Sequence, residues 1–169
     1  MKNITQILSE EHQTILKVID AALGECNELE KGKALDLEFF QKTIDFIKNF
    51  ADKFHHAKEE EILFKAMLEN IENLHCNPIP VMLHEHDEGR ECVRGMEEAI
   101  AENDMAKLIE NTRAYCILLQ NHIYKEDNVL YPMAEEALSD EQKDLVNDKY
   151  HEAELKLKPE IDVEALKFI

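Results

Sequence analysis

FHHAKEEEILFK, residues 54–65, returns later in the chain as NHIYKEDNVLYP, residues 121–132. Superposed on Lys58 with Lys125 and on Leu63 with Leu130, the two segments place His55 over His122 and Glu59 over Glu126. Each reads histidine, three residues, glutamate, then an apolar pair after two more. On an α-helix, residues four apart share a face, so each segment offers an imidazole and a carboxylate side by side. Metal chemistry explains such a repeat better than chance does.

Both segments lie in a chain whose composition favours helices. With 4 glycines and 4 prolines in 169 residues, and Leu, Ala, Glu and Lys prominent, an all-α domain is expected. Ile4, Leu8, Ile15, Ile19, Ala22, Cys26 and Leu29 follow the helical period over about 3–30, and Lys31-Gly32-Lys33 interrupts it. A second helix, about 36–71, carries Phe40, Ile44, Ile47, Ala51, Ile62 and Ala66 on one stripe. The loop HCNPIP, 75–80, leads into a third helix with Pro80 in its first turn and an end near residue 102. Its buried stripe is Met82, Gly89, Val93, Met96 and Ile100. After Asn103-Asp104, a fourth helix carries Leu108, Thr112, Tyr115, Leu119, Val129 and Met133. Short connections imply an up-down-up-down four-helix bundle over residues 1–138. Ser139, three before Gln142, reads as a capping box opening a short fifth helix to about Lys156. Lys158-Pro159 ends it, so residues 139–169 form a short C-terminal helix and tail packed on or beside the bundle.

Charge narrows the classes of function. A formal net charge of -18 disfavours phosphate backbones and anionic membranes, so neither nucleic acid nor membrane is an expected partner. The same surface would suit a basic protein partner or electron donor. No apolar run approaches the roughly 20 residues of a membrane span, and no signal-peptide core follows Met1, which points to the cytoplasm. Cys26, Cys76, Cys92 and Cys116 form no Cys-x-x-Cys pair and read as reduced, mostly buried thiols.

The helical spacing also sorts the eight histidines. His12 lies four after Leu8, His86 four after Met82, His55 four after Ala51 and His122 three after Leu119, all on buried stripes. A single core histidine is ordinarily satisfied by a hydrogen bond. Four of them with two carboxylates are different, because each uncompensated buried charge costs several kcal/mol that a metal ion would offset. His84 falls on a polar stripe with Glu88 and Glu91. His56 lies over Asp52 and is a poorer ligand by this spacing, although Glu60 one turn on leaves the pair His56/Glu60 as an alternative to His55/Glu59. His75 in the loop and His151 on the fifth helix suit surface positions, and of Glu59-Glu60-Glu61 only the first points inward. EEHQ around His12 and HEHD around His86 precede the two repeats, giving two hairpins with a pseudo-twofold relation.

Four imidazoles and two carboxylates exceed what one zinc takes and are the wrong donors for calcium or magnesium, but they suit two first-row ions. With bridging glutamates, each ion would receive two histidine nitrogens and two carboxylate oxygens, leaving room for a small exogenous ligand. Imidazole with carboxylate favours iron or manganese.

His12, His55-x-x-x-Glu59, His86 within EHDEGR, and His122-x-x-x-Glu126 followed by LYP resemble the hemerythrin-like, or HHE cation-binding, domain over roughly residues 4–138. The resemblance implies a four-helix bundle holding a non-haem, oxo- or hydroxo-bridged centre of two iron ions, with Glu59 and Glu126 as bridges. It further implies binding of dioxygen, nitric oxide or peroxide, or a part in iron handling. Oxygen-carrying members have a fifth histidine through H-x-x-x-H on the third helix and H-x-x-x-x-D on the fourth. Here Met82 and Arg90 flank His86 at those distances, and the fourth helix has H-x-x-x-E. The ligand set is closer to that of di-iron proteins implicated in repair of damaged iron centres, which usually add a cysteine-bearing N-terminal domain. A binding or sensing protein is the leading expectation. A di-iron peroxidase or oxidase using Tyr115, Tyr124 or Tyr131 is the second, and a metal-free structural bundle the third.

Overall fold

In the computed structural model, which describes residues 3–157, every regular element is helical. The first helix is Gln6–Glu30. Gly32 follows its end with φ 96, a left-handed conformation that glycine adopts without steric cost, and Lys33 N–H reaches back to the Glu28 carbonyl. The second helix begins after Asp36, whose side chain accepts from Phe39 N–H, and continues without a break over residues 37–68. The third is Ile79–Glu102, with Pro80 in its first turn, and it ends at left-handed Asn103. Asp104 caps the fourth, which runs over residues 105–137. Ser139 and Gln142 exchange backbone and side-chain hydrogen bonds at the start of the fifth, Asp140–Leu157. The end expected at Lys158-Pro159 and the tail beyond it lie outside the described residues.

Three stretches depart from α-helical geometry. Ile47–His56 and Glu59–Leu63 in the second helix, and Glu126–Leu130 in the fourth, are π-helical, with i→i+5 hydrogen bonds. Each added residue in a turn rotates the downstream chain relative to an α-helix. That rotation corrects two positions of the expected stripes. Val129 is 49% exposed while Leu130 is buried, and Met67 is buried where Ala66 was expected. Upstream of the π turns, Phe40 and Ile44 are buried as the α-helical spacing requires, and Ile47 and Ala51 in the first π stretch are buried as well.

The helices pack around two apolar clusters. One joins Ile15, Ile19, Phe40, Phe50, Val93 and Leu119 across the first four helices. The other joins Ile4, Leu8, Leu63, Met67 and Leu130 to Val146 and Tyr150 of the fifth helix. The third and fourth helices approach closely where Gly95 faces Asn111, since a Cβ on Gly95 would lie 2.2 Å from Asn111 Oδ1. Between the two apolar clusters lies a layer of buried polar side chains.

Candidate metal centre

That layer contains His12, His55, His56, Glu59, His86, His122 and Glu126, none more than 5% exposed. Their donor atoms fall into two groups. His12, His55, Glu59 and Glu126 form one; His56, His86, His122 and Glu59 form the other; within each, the atoms lie within 4.8 Å of one another. Glu59 belongs to both. Glu126 also spans them, with Oε2 at 3.3 Å from His12 Nε2 and Oε1 at 3.1 Å from His122 Nε2.

All six residues singled out by the spacing rule are therefore brought together, and His56 joins them. In an α-helix His55 and His56 would diverge by 100°. The π-helical stretch ending at His56 lets both turn inward, so His56 is buried and its ring stacks on His86 with centroids 3.8 Å apart. Glu60 does not pair with His56; it accepts from His86 instead. His84 is exposed beside Glu88, and His75 and His151 are exposed away from the centre.

Every histidine of the pseudo-twofold set turns Nε2 inward and holds a carboxylate at Nδ1. The pairs are His12 with Asp127 at 3.0 Å, His55 with Glu11 at 2.8 Å, His86 with Glu60 at 2.7 Å and His122 with Glu85 at 2.8 Å. Such partners fix the ring and raise its basicity toward an ion. They in turn are held, Glu11 by Lys58, Glu85 by Lys125, Asp127 by Ser9 and Glu60 by Arg90. The acid preceding His12 and the acid preceding His86, visible in EEHQ and HEHD, thus serve the histidine of the next helix. Sequence spacing along one helix could not assign that role, because the contact crosses between helices.

Two observations test the fit of cations to this donor set. First, Glu59 Oε2 and both oxygens of Glu126 are buried with no hydrogen-bond partner. Orphaned carboxylate oxygens at such depth are costly unless a positive charge meets them. Second, Nε2 of His12 faces Nε2 of His55 at 3.0 Å, and Nε2 of His86 faces that of His122 at 3.0 Å. Two nitrogens each ~2.1 Å from one ion and at right angles on it would stand about 3.0 Å apart. The donor set fits two cations.

Without ions, protons take their place. Burial lowers the affinity of His12 for a proton, but Asp127, Glu126 and Glu59 outweigh it and push the pKa up to about 10. Burial likewise lowers the affinity of His86 for a proton, but Glu59 and Glu60 outweigh it and raise the pKa to about 9. His56 goes the other way, down to about 3, through burial and the neighbouring positive charge of His86. Burial and mutual repulsion would raise Glu59, and burial would raise Glu126, yet the surrounding histidines hold both below the usual carboxylate range.

An all-helical bundle with a buried histidine and glutamate cluster at its middle defines a cation-binding helical protein. The hemerythrin HHE cation binding domain matches residues 3–134, and the chain belongs to that family. Comparison with curated proteins gave no significant match. Among the described residues, no helix is long and apolar enough to cross a membrane.

Proposed function

We propose that the centre holds two non-haem iron ions, bridged by Glu59 and Glu126 within four helices of alternating direction. The protein would use them, in the cytoplasm, to bind or sense dioxygen, nitric oxide, peroxide or iron itself. The observation that carries this reading is the pair of donor groups sharing Glu59, with orphaned carboxylate oxygens between them. When bound, iron supplies redox chemistry and open coordination positions. The chain's own residues supply the asymmetry. His12 and His55 give one group two nitrogens, whereas His56, His86 and His122 give the other three. The two-nitrogen group keeps more room for an exogenous ligand. Stopped-flow spectra of the reduced, iron-loaded protein test the reading. Changes with dioxygen, nitric oxide or peroxide support it, and spectra unresponsive to all three, with no response of the fold to iron, refute it.

One observation favours an enzyme as the second reading. Tyr131 hydroxyl donates to Glu59 Oε1 at 2.6 Å and lies 3.3 Å from His12 Nε2. A buried phenol in contact with both groups can deliver a proton to the centre, and a basic electron donor drawn to the acidic surface would complete a peroxidase or oxidase. Sustained turnover with peroxide and a reductant distinguishes it from a binding protein.

A further inference from the structure

A cavity of about 210 Å³ opens beside the three-histidine group, between the second, third and fourth helices. Its walls are mostly apolar, built from Ile47, Gly89, Val93, Leu119 and the ring of Tyr115, and it reaches the edges of His56 and His86. A water needs only ~10–15 Å³ of such space, and drug-sized ligands occupy about 300 Å³ or more. The cavity therefore suits a small organic molecule, larger than a diatomic gas.

Two polar atoms among its lining residues have no partner. Tyr115 is 2% exposed and its hydroxyl makes no hydrogen bond. Burial raises its pKa well above the ordinary tyrosine value, so the group is a neutral donor. His56 Nδ1 is also unpartnered, with Asp52 Oδ1 3.5 Å away, beyond a good hydrogen bond. Native proteins rarely leave such groups buried and unmatched. The charges at the rim, by contrast, are satisfied. Lys48 pairs with Glu97, Arg90 with Asp52 and Glu60, and Arg94 with Glu91. No spare charge remains for an ionic ligand.

We propose that this cavity binds a small neutral molecule with an apolar body and one hydroxyl oxygen, of the size and chemistry of a phenol. The body lies against Ile47, Val93 and Leu119, and the oxygen accepts from the Tyr115 hydroxyl. His56 Nδ1 is a second polar group within the same cavity. The site is separate from the vacancy argued for the two-nitrogen group and does not depend on which ion the centre holds.

Phenol titrated into the purified full chain, followed by calorimetry with metal content recorded separately, tests the proposal. Saturable binding of one phenol per chain is expected. Tyr115→Phe keeps the ring and removes the orphaned hydroxyl, so it should weaken phenol about 2- to 10-fold, as one hydrogen bond is worth, while leaving or raising thermal stability. Toluene, which lacks the oxygen, should bind both proteins alike. Gly89→Ala adds a methyl 3.5 Å from the Tyr115 ring and should weaken both probes by narrowing the cavity. No saturable phenol binding, phenol binding indifferent to both substitutions, or equal loss of phenol and toluene in Tyr115→Phe would overturn it. Metal content and gas reactivity are read independently, so failure here leaves the reading of the centre standing.

Discussion

Tyr131 lays its ring on His12, nearly parallel at 5.5 Å between centroids, and Phe64, its counterpart in the repeat, lies over His86 at 5.9 Å. The aromatic caps of the two halves are thus matched in shape and differ by one hydroxyl, which Tyr131 donates to Glu59. Tyr131→Phe makes the two caps alike. Glu59 would lose its donor in a buried setting, lowering stability of the metal-free protein by about 1–3 kcal/mol. Ion affinity should fall roughly 10- to 100-fold, as for other groups that orient a ligand. Denaturant midpoints and metal titration measure the two effects.

His56 and His84 separate buried donor from exposed bystander. His56→Ala removes one nitrogen from the three-histidine group and should weaken one of the two ions selectively, visible as a biphasic metal titration. His84→Ala, at a side chain 72% exposed, should leave both ions and the thermal midpoint unchanged. Equal effects of the two substitutions would remove His56 from the centre.

Glu11 and Glu85 are equivalent by the pseudo-twofold, yet their lysines are not. Lys58 is fully buried, with its ammonium 3.9 Å from the Phe54 ring centroid, whereas Lys125 is 40% exposed. Glu11→Gln leaves a buried cation without its counter-charge and should cost about 3–5 kcal/mol. Glu85→Gln strands a solvated one and should cost no more than about 1 kcal/mol. Both should weaken metal binding by loosening His55 or His122. The difference in urea midpoint between the variants, measured with chelator present, checks the asymmetry.

The legible parts of the protein are those that obey one helical period. The four long helices, the capping box at Ser139 and the inward turn of His12, His55, His86 and His122 all follow from residues three or four apart. His56, Leu130 and Met67 do not, because the π turns around both His-x-x-x-Glu segments add residues to the period. Nothing in local composition marks an i→i+5 bond, although the π stretches fall on His55, His56, Glu59 and Glu126 of the centre. The carboxylates behind the imidazoles were hidden for another reason. Glu11 serves His55 and Asp127 serves His12, contacts between helices that no spacing along one helix records.

Protons and ions compete for this centre, and the two states should respond to pH with opposite sign. In metal-free protein, His12 and His86 have folded pKa values raised above 6.5, to about 10 and about 9. Their stabilisation is complete below about pH 6.5 and is lost as pH rises through 9 to 10. Glu59 and Glu126, held low, contribute stability above the ordinary carboxylate range that is lost in acid. Metal-free protein should therefore soften from neutral to alkaline pH, while metal affinity rises over the same window as the competing protons leave. Thermal midpoints with and without chelator show the divergence, and calorimetry in buffers of different ionisation enthalpy shows proton release on metal uptake. A fall in affinity across that window would contradict the competition.

Removing the ions should also destabilise the fold as a whole. Binding to the native state alone stabilises by about 2.7 kcal/mol when free ion stands at 100 times its Kd. Loaded protein dialysed against chelator should melt at a lower temperature and recover on readdition of iron. A midpoint indifferent to chelator would favour a structural bundle that needs no metal.

The most direct test is metal content with an optical spectrum on protein purified without added metal, for wild type and for His55→Ala/His122→Ala. A two-ion centre predicts about two irons per chain with oxo-bridge absorption, both lost in the double variant. No bound metal, or a single zinc retained by the double variant, would contradict it.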